Sequence, residues 1–375
     1  MDLELISIGS ELLTGHTVNS NAAFLSQHLV RLGYRISRHT VLPDQTEIIQ
    51  QGLREALQRV SLVITTGGLG PTIDDLTQGA VNKIFPKQTP LMNKLGTASG
   101  AFYHQKNQGF ILLPGVPREM ECMFLEEAVP LIKTHFPVHH PLYRKTCSFC
   151  LLREIEVNPI LLDMKRQEPT VEIGIYPSQG TLSVEFLGFE MGLLEQMAKQ
   201  LQKRFSAFYF AAPTIVQAVH QECIQRKKTL ALAESCTGGA MAAKITAIPD
   251  ASLYFLGSLV VYSNPWKEHF LQVSHSTLAQ DGAVSRQAVD EMIQGLFHET
   301  KADFAIAVSG IAGPGGGSSK KPVGTICIAI GERGQKTDIG VLQAPQDRAS
   351  AIEWAVQTSL GALWRRLVHK AYTFS

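Results

Sequence analysis

Thr229-Leu230-Ala231-Leu232-Ala233-Glu234-Ser235-Cys236-Thr237-Gly238-Gly239 runs from an apolar stretch of strand length into a glycine pair. Alanine-rich sequence follows and predicts a helix over Gly238–Ala247. A buried strand that turns through glycines into a helix is the repeating unit of an α/β sheet. Working outward, Ser258–Tyr262, Asp303–Ser309 and Val323–Ile330 read as further strands. Arg286–Glu299 and Ala349–Val368 read as helices.

The same rhythm opens the chain. Glu4–Ile8 is a short apolar strand ended by Gly9, and Asn19 or Ser20 caps a helix that carries Phe24, Leu25, His28 and Leu29. A helix follows Asp44, with Ile48, Ile49, Leu53 and Leu57 at helical spacing. Ser61–Thr65 is an apolar run stopping at Gly67-Gly68, and Phe110–Leu113 stops at Pro114-Gly115 before a helix from Arg118. Such alternation predicts parallel sheets covered on both faces. The middle differs. Val171–Tyr176 and Leu182–Phe186 read as a hairpin around Pro177-Ser178-Gln179-Gly180, between helices near Leu152–Lys165 and Leu193–Phe205. Three domains are expected: residues 1–137 α/β, residues 138–212 a small α+β module, and residues 213–375 α/β.

With 375 residues, 45% hydrophobic and 18% charged, the chain suits globular domains with real cores. Its net charge of +1 provides no basic field for nucleic acid or an anionic membrane. MDLELISIGS lacks the form of a secretory signal, and no apolar run approaches the ~20 residues of a membrane helix. A cytoplasmic protein is expected. The six cysteines are then expected to be reduced. Cys147 and Cys150 form a lone CxxC without the second pair that zinc requires.

Three stretches of the last third carry chemistry. Ser235 lies at a strand end, where ligands of open α/β sheets bind. Gly238 and Gly239 let backbone amides approach a ligand, and those amides at the helix start are expected to stabilise an oxyanion. Ser235 and Thr237 equally suit plain helix capping. Lys267 follows Tyr262-Ser263-Asn264. A serine nucleophile needs a base, and lysine serves as one only where burial or a nearby cation lowers its pKa. Taken alone, Lys267 reads as a surface residue. Ser309-Gly310-Ile311-Ala312-Gly313-Pro314-Gly315-Gly316-Gly317 places five glycines in nine residues. It suits an anion cradle or a flexible loop, and it is neither a Walker loop nor GxGxxG.

Taken in order, AESCTGG, YSNPWK, DGAVS (Asp281–Ser285), SGIAGPGGG and KPVG (Lys321–Gly324) resemble the C-terminal domain of the CinA (competence/damage-inducible) family. The resemblance covers nearly all of Lys228–Leu367. It implies a nicotinamide-nucleotide amidase, which converts nicotinamide mononucleotide and water to nicotinate mononucleotide and ammonia without a cofactor. Carried over by motif, Ser235 is the nucleophile, with Lys267 and Tyr262 as its activating partners. Thr237, Gly238, Gly239, Gly310, Gly313 and Gly315 hold the substrate. Arg348 is a further substrate contact, although Gln346-Asp347-Arg348 stands where the family has Gly-Asp-Arg.

Gly9–Gly15, Asn19-Ser20-Asn21 and Thr66–Thr77 resemble the family's N-terminal, molybdopterin-binding (MoaB/MogA-like) domain. That resemblance implies metal-dependent hydrolysis of ADP-ribose. Its site would use Gly67, Gly68 and Gly70 for phosphate, and Asp74 and Asp75 as oxygen ligands for a divalent cation such as Mg2+. The two aspartates equally suit the first turn of a helix. Only Gln78–Lys94 separates Thr77 from Leu95-Gly96-Thr97-Ala98-Ser99-Gly100, where the family has a longer helical stretch and a proline at Ser99. The middle module resembles the family's small KH-like domain. Small nucleotides are the expected partners, and a homodimer the expected assembly. A pyrophosphatase with a passive C-terminal domain and a non-catalytic competence partner are the alternatives.

Overall fold

In the computed structural model, residues 1–70, 76–85 and 87–374 are described. Contacts divide the chain into two compact units. One comprises Met1–Arg144 with Leu187–Leu194, the other Lys145–Phe186 with Glu195–Ser375.

The first unit is built on six strands: β1 (Asp2–Ile8), β2 (Arg35–Leu42), β3 (Leu62–Thr66), β4 (Gln88–Leu91), β5 (Gly100–Gln105) and β6 (Gln108–Leu113). Their order is β2-β1-β3-β6-β5-β4. The first four positions in that order are parallel, with Leu5 opposite Ile64 and Ile64 opposite Ile111. Alternate residues of β1 serve opposite faces. Leu3 and Leu5 enter one core, and Ile6 and Ile8 the other. Glu4 is buried among them, and its carboxylate is held by Arg59 Nε at 2.7 Å and Nη2 at 2.9 Å.

β3 ends in a turn that only glycine fits. Gly67 has φ +102°, and an added Cβ would lie 2.0 Å from the Ile8 carbonyl oxygen. Both the dihedral and the backbone contact forbid a side chain. Gly67→Ala is expected to destabilise this unit by more than about 2 kcal/mol. Urea unfolding measures it, and an unchanged midpoint would refute the turn's geometry.

A four-stranded sheet follows, of β7 (Tyr143–Cys150), β8 (Glu172–Ser178), β9 (Thr181–Gly188) and β10 (Tyr209–Phe210), in the order β10-β7-β9-β8. The expected hairpin is β8–β9. By contacts, residues 145–186 and 195–212 group with the last third of the chain. Cys150 belongs to the core that also holds Leu230, Val356 and Leu363. Gly361, inside helix Arg348–His369, lets that helix approach β7: a Cβ there would stand 3.0 Å from Cys150 Cβ.

The last sheet comprises β11 (Leu230–Glu234), β12 (Phe255–Val260), β13 (Phe304–Gly310), β14 (Thr325–Glu332) and β15 (Asp338–Gln343), ordered β12-β11-β13-β14-β15. β11 runs parallel to both neighbours, whereas β14 is antiparallel to β13 and β15. Likewise β5 is antiparallel to β4 and β6. Both sheets are therefore mixed, not wholly parallel. A parallel return needs a crossover, usually a helix. The glycine-rich stretch after β13 cannot supply one. On one face of the last sheet, Leu232, Ile306 and Ile328 pack with residues of Arg348–His369. On the other, Ala233, Ala307 and Cys327 pack with residues of helix Arg286–Glu299. Among the described residues, no helix is long and apolar enough to cross a membrane.

Candidate active site

β11 is buried along its whole length, and Ser235 follows directly at its carboxyl end. The Ser235 amide donates to Val308 O of β13 at 3.0 Å, so the serine stays aligned with the strands. The chain then turns through Gly238 (φ +60°) and Gly239 (φ +94°) into helix Ala240–Thr246. A Cβ at Gly238 would meet open space, so it is the left-handed backbone that calls for glycine there.

Lys267 arrives from the neighbouring strand. It lies in helix Asn264–Leu271, with Pro265 in the first turn. Nor is it a surface residue: it is 1% exposed. Its Nζ stands 3.0 Å from Ser235 Oγ, 2.8 Å from Val261 O and 3.1 Å from Tyr262 O. Burial pushes its pKa down to about 8. The partners suit a neutral amine as well as an ammonium. Two carbonyls accept only, so they fix two N–H bonds. In the neutral form the remaining lone pair faces the serine hydroxyl.

The other sequence candidates divide. Tyr262 is 60% exposed, and its hydroxyl accepts from Arg348 Nη2 at 3.1 Å. Its phenol is therefore tied to Arg348, and only its backbone carbonyl reaches Lys267. Arg348 Nη1 also donates to Gly313 O at 3.1 Å, which joins the glycine loop to Tyr262. Gly310 ends β13 beside the serine turn, where a Cβ would lie 3.1 Å from Cys236 Sγ. Gly315 is exposed and contacts nothing through a Cβ position. Thr237 is buried, and its Oγ1 has no partner among the described residues.

The amides behave differently from the expectation. Gly238 N donates to Ser235 O, and Gly239 N donates to the Glu234 carboxylate at 3.0 Å. Met241 and Ala242 also donate to Glu234. The N–H groups of the glycines and of the helix start are thus occupied. Among the described residues, those of Cys236 and Thr237 have no acceptor. Glu234 is the residue that sequence reasoning missed. A lone acid closing a buried strand just before a glycine-opened helix was the available signal.

Residues 212–367 match the family model "CinA C-terminal domain", and residues 4–134 match "Probable molybdopterin binding domain". A CinA-like protein of Amoebophilus asiaticus is 34% identical over 382 residues, covering 88% of this chain and 91% of that protein. The chain belongs to the CinA family. A CinA-like protein of Endomicrobium trichonymphae is 32% identical over 428 residues, covering 99% of both. That alignment is longer than the 375-residue chain, so the relative carries residues this CinA protein lacks. The crystal structure of competence damage-inducible protein A from Klebsiella pneumoniae is 38% identical over 42% of this chain and 97% of its own, with a TM-score of 0.41.

In the N-terminal part of this CinA chain a cleft opens at the ends of β1, β3 and β6. Glu11, Asn19, Asn21, Thr66, Gly67 and Gly115 line it. Asn21 donates to Thr66 Oγ1 at 2.9 Å and Gly115 O at 2.8 Å, and its buried Oδ1 has no partner among the described residues. The Gly67 amide, expected to meet phosphate, donates to Leu113 O. Thr77 Oγ1 donates to Gly67 O, and its amide to Gly68 O. Gly70 is among the described residues, and Asp74 and Asp75 lie outside them. Among the described residues, no cluster of three or more His, Cys, Asp or Glu could hold a metal ion.

Proposed function

We propose that the second unit hydrolyses the carboxamide of nicotinamide mononucleotide to nicotinate mononucleotide and ammonia. One observation carries this reading: a serine hydroxyl 3.0 Å from a buried lysine amine whose pKa is lowered to about 8. Ser235 Oγ attacks the carboxamide carbon while its proton passes to Lys267 Nζ. The oxyanion takes the Cys236 and Thr237 N–H groups. As the C–N bond breaks, Lys267 returns the proton to the departing nitrogen, which leaves as ammonia. Water then attacks the acyl-serine, again losing a proton to Lys267. The ester C–O bond breaks, and the proton goes back to Ser235 Oγ. Arg348 is exposed, and its partners are a carbonyl and a phenol, so its positive charge remains available to the nucleotide phosphate.

The test is ammonia release from nicotinamide mononucleotide by the full chain. None at high enzyme concentration would remove the reading. The pH dependence follows from Lys267. Only the neutral amine accepts the serine proton, and with a pKa of about 8 roughly a tenth is neutral at pH 7. kcat/KM is expected to rise about tenfold per pH unit below about 8 and to level off above it. A flat profile from pH 6 to 8 would contradict lysine as the base.

A second reading, hydrolysis of ADP-ribose by the first unit, is supported by its cleft and the unpartnered Asn21 Oδ1.

A further inference from the structure

Beyond the two reacting groups, we infer that Glu234 is the positioning residue that fixes the oxyanion amides of the serine turn. The inference rests on the amidase reading above.

Glu234 is fully buried, one residue before the nucleophile. Among the described residues no cation pairs with it. Backbone and hydroxyl donors hold it instead. Oε2 accepts from Gly239 N at 3.0 Å and Met241 N at 3.1 Å. Oε1 accepts from Ala242 N at 3.0 Å and Ser258 Oγ at 3.0 Å. A buried carboxylate without a cation is tolerable only when its lone pairs are met this fully.

The arrangement closes a loop. The Glu234 backbone is locked in β11, where its carbonyl accepts from Val261 N at 2.9 Å. Its side chain grips the chain again at Gly239, five residues on. Ser235, Cys236 and Thr237 are suspended between these two anchors. Helix Ala240–Thr246 has no side-chain cap at Gly239, and the strand's own acid satisfies its first amides from inside. The helix start is thereby closed to substrate, and the two amides after the nucleophile are left without an acceptor among the described residues. Oxyanion stabilisation depends on donors held within a fraction of an ångström. Glu234 supplies that rigidity without touching the reacting atoms.

Glu234→Gln keeps the shape but sets an NH2 group against N–H donors, which loosens the turn. kcat is expected to fall about 30-fold while KM stays within about threefold. The acid limb of the pH profile should not move, because burial of the amine is what lowers the Lys267 pKa. Ser258→Ala removes one of the four donors and should lower kcat about threefold at unchanged KM. A second readout is independent of the substrate: the rate at which a fluorophosphonate probe labels Ser235 should fall by similar factors. Wild-type ammonia release tests the amidase reading, and the variant-to-wild-type labelling ratio tests the positioning role. Kinetics and labelling within twofold of wild type in both variants would overturn it, as would a KM rise equal to the kcat loss or a displaced acid limb. Should Glu234→Gln fail to fold, wild-type labelling and kcat in Ser258→Ala would overturn it alone.

Discussion

Lys267→Met is expected to lower kcat for nicotinamide mononucleotide by at least about 1,000-fold. Methionine fills the same buried space but cannot take a proton. Ser235 would keep its place at the end of β11, because Val308 O and not Lys267 anchors its amide. What disappears is the acceptor 3.0 Å from Oγ, and a serine at its ordinary pKa is a poor nucleophile. Lys267→Arg should not restore turnover, since a guanidinium does not deprotonate in this range. The same lysine leaves a signature in stability. Its pKa falls from 10.5 unfolded to about 8 folded, so the unfolded chain binds more protons between those values. Stability should therefore rise with pH from about 8 to 10.5, and that rise should be missing in Lys267→Met. Ammonia release and chemical unfolding across that range measure the two effects. A methionine variant retaining a tenth of wild-type turnover would exclude Lys267 as the base.

Among the strands read from the sequence, β3, β6, β11 and β13 are buried almost throughout. β3, β6, β11 and β13 are apolar runs closed by glycine or proline, and nothing else buries such runs as economically. β2 was not readable. Arg35–Leu42 carries two arginines and a histidine and is half exposed at the sheet's edge, where only pairing with β1 makes it a strand. β15 was not read either; it is an edge strand of the last sheet, paired with β14 alone among the described residues. At the site, Ser235 was legible because its setting is local: strand, glycines, helix. The character of Lys267 was not. Its burial comes with the packing of helix Asn264–Leu271 against helix Arg286–Glu299 and with the serine turn 32 positions away, and no local pattern encodes that. The tie between Tyr262 and Arg348 spans 86 positions and comes from folding alone. Glu234 lies between these cases. Three of its four donors follow within eight residues, so a capping acid could be read from the sequence once strand and helix were placed.

Ser235→Ala should be as inactive as Lys267→Met, and the double variant should be no worse than either. The argument is one of dependence. Lys267 accelerates the reaction by receiving a proton from Ser235 Oγ, and without that oxygen its amine faces nothing it can activate. Ser235 in turn attacks only as fast as its proton can leave. Groups that act through one another lose their effect together, so the losses do not multiply. Ser235→Ala should still bind nicotinamide mononucleotide with near wild-type affinity, because Arg348 and the Cys236 and Thr237 amides remain. Titration calorimetry on this variant therefore separates binding from chemistry. Two results would break the scheme. If the double variant lost the product of the two single factors, the residues would be working separately. If Ser235→Ala kept turnover within tenfold of wild type while Lys267→Met did not, the lysine would be activating water directly, and no acyl-serine would form.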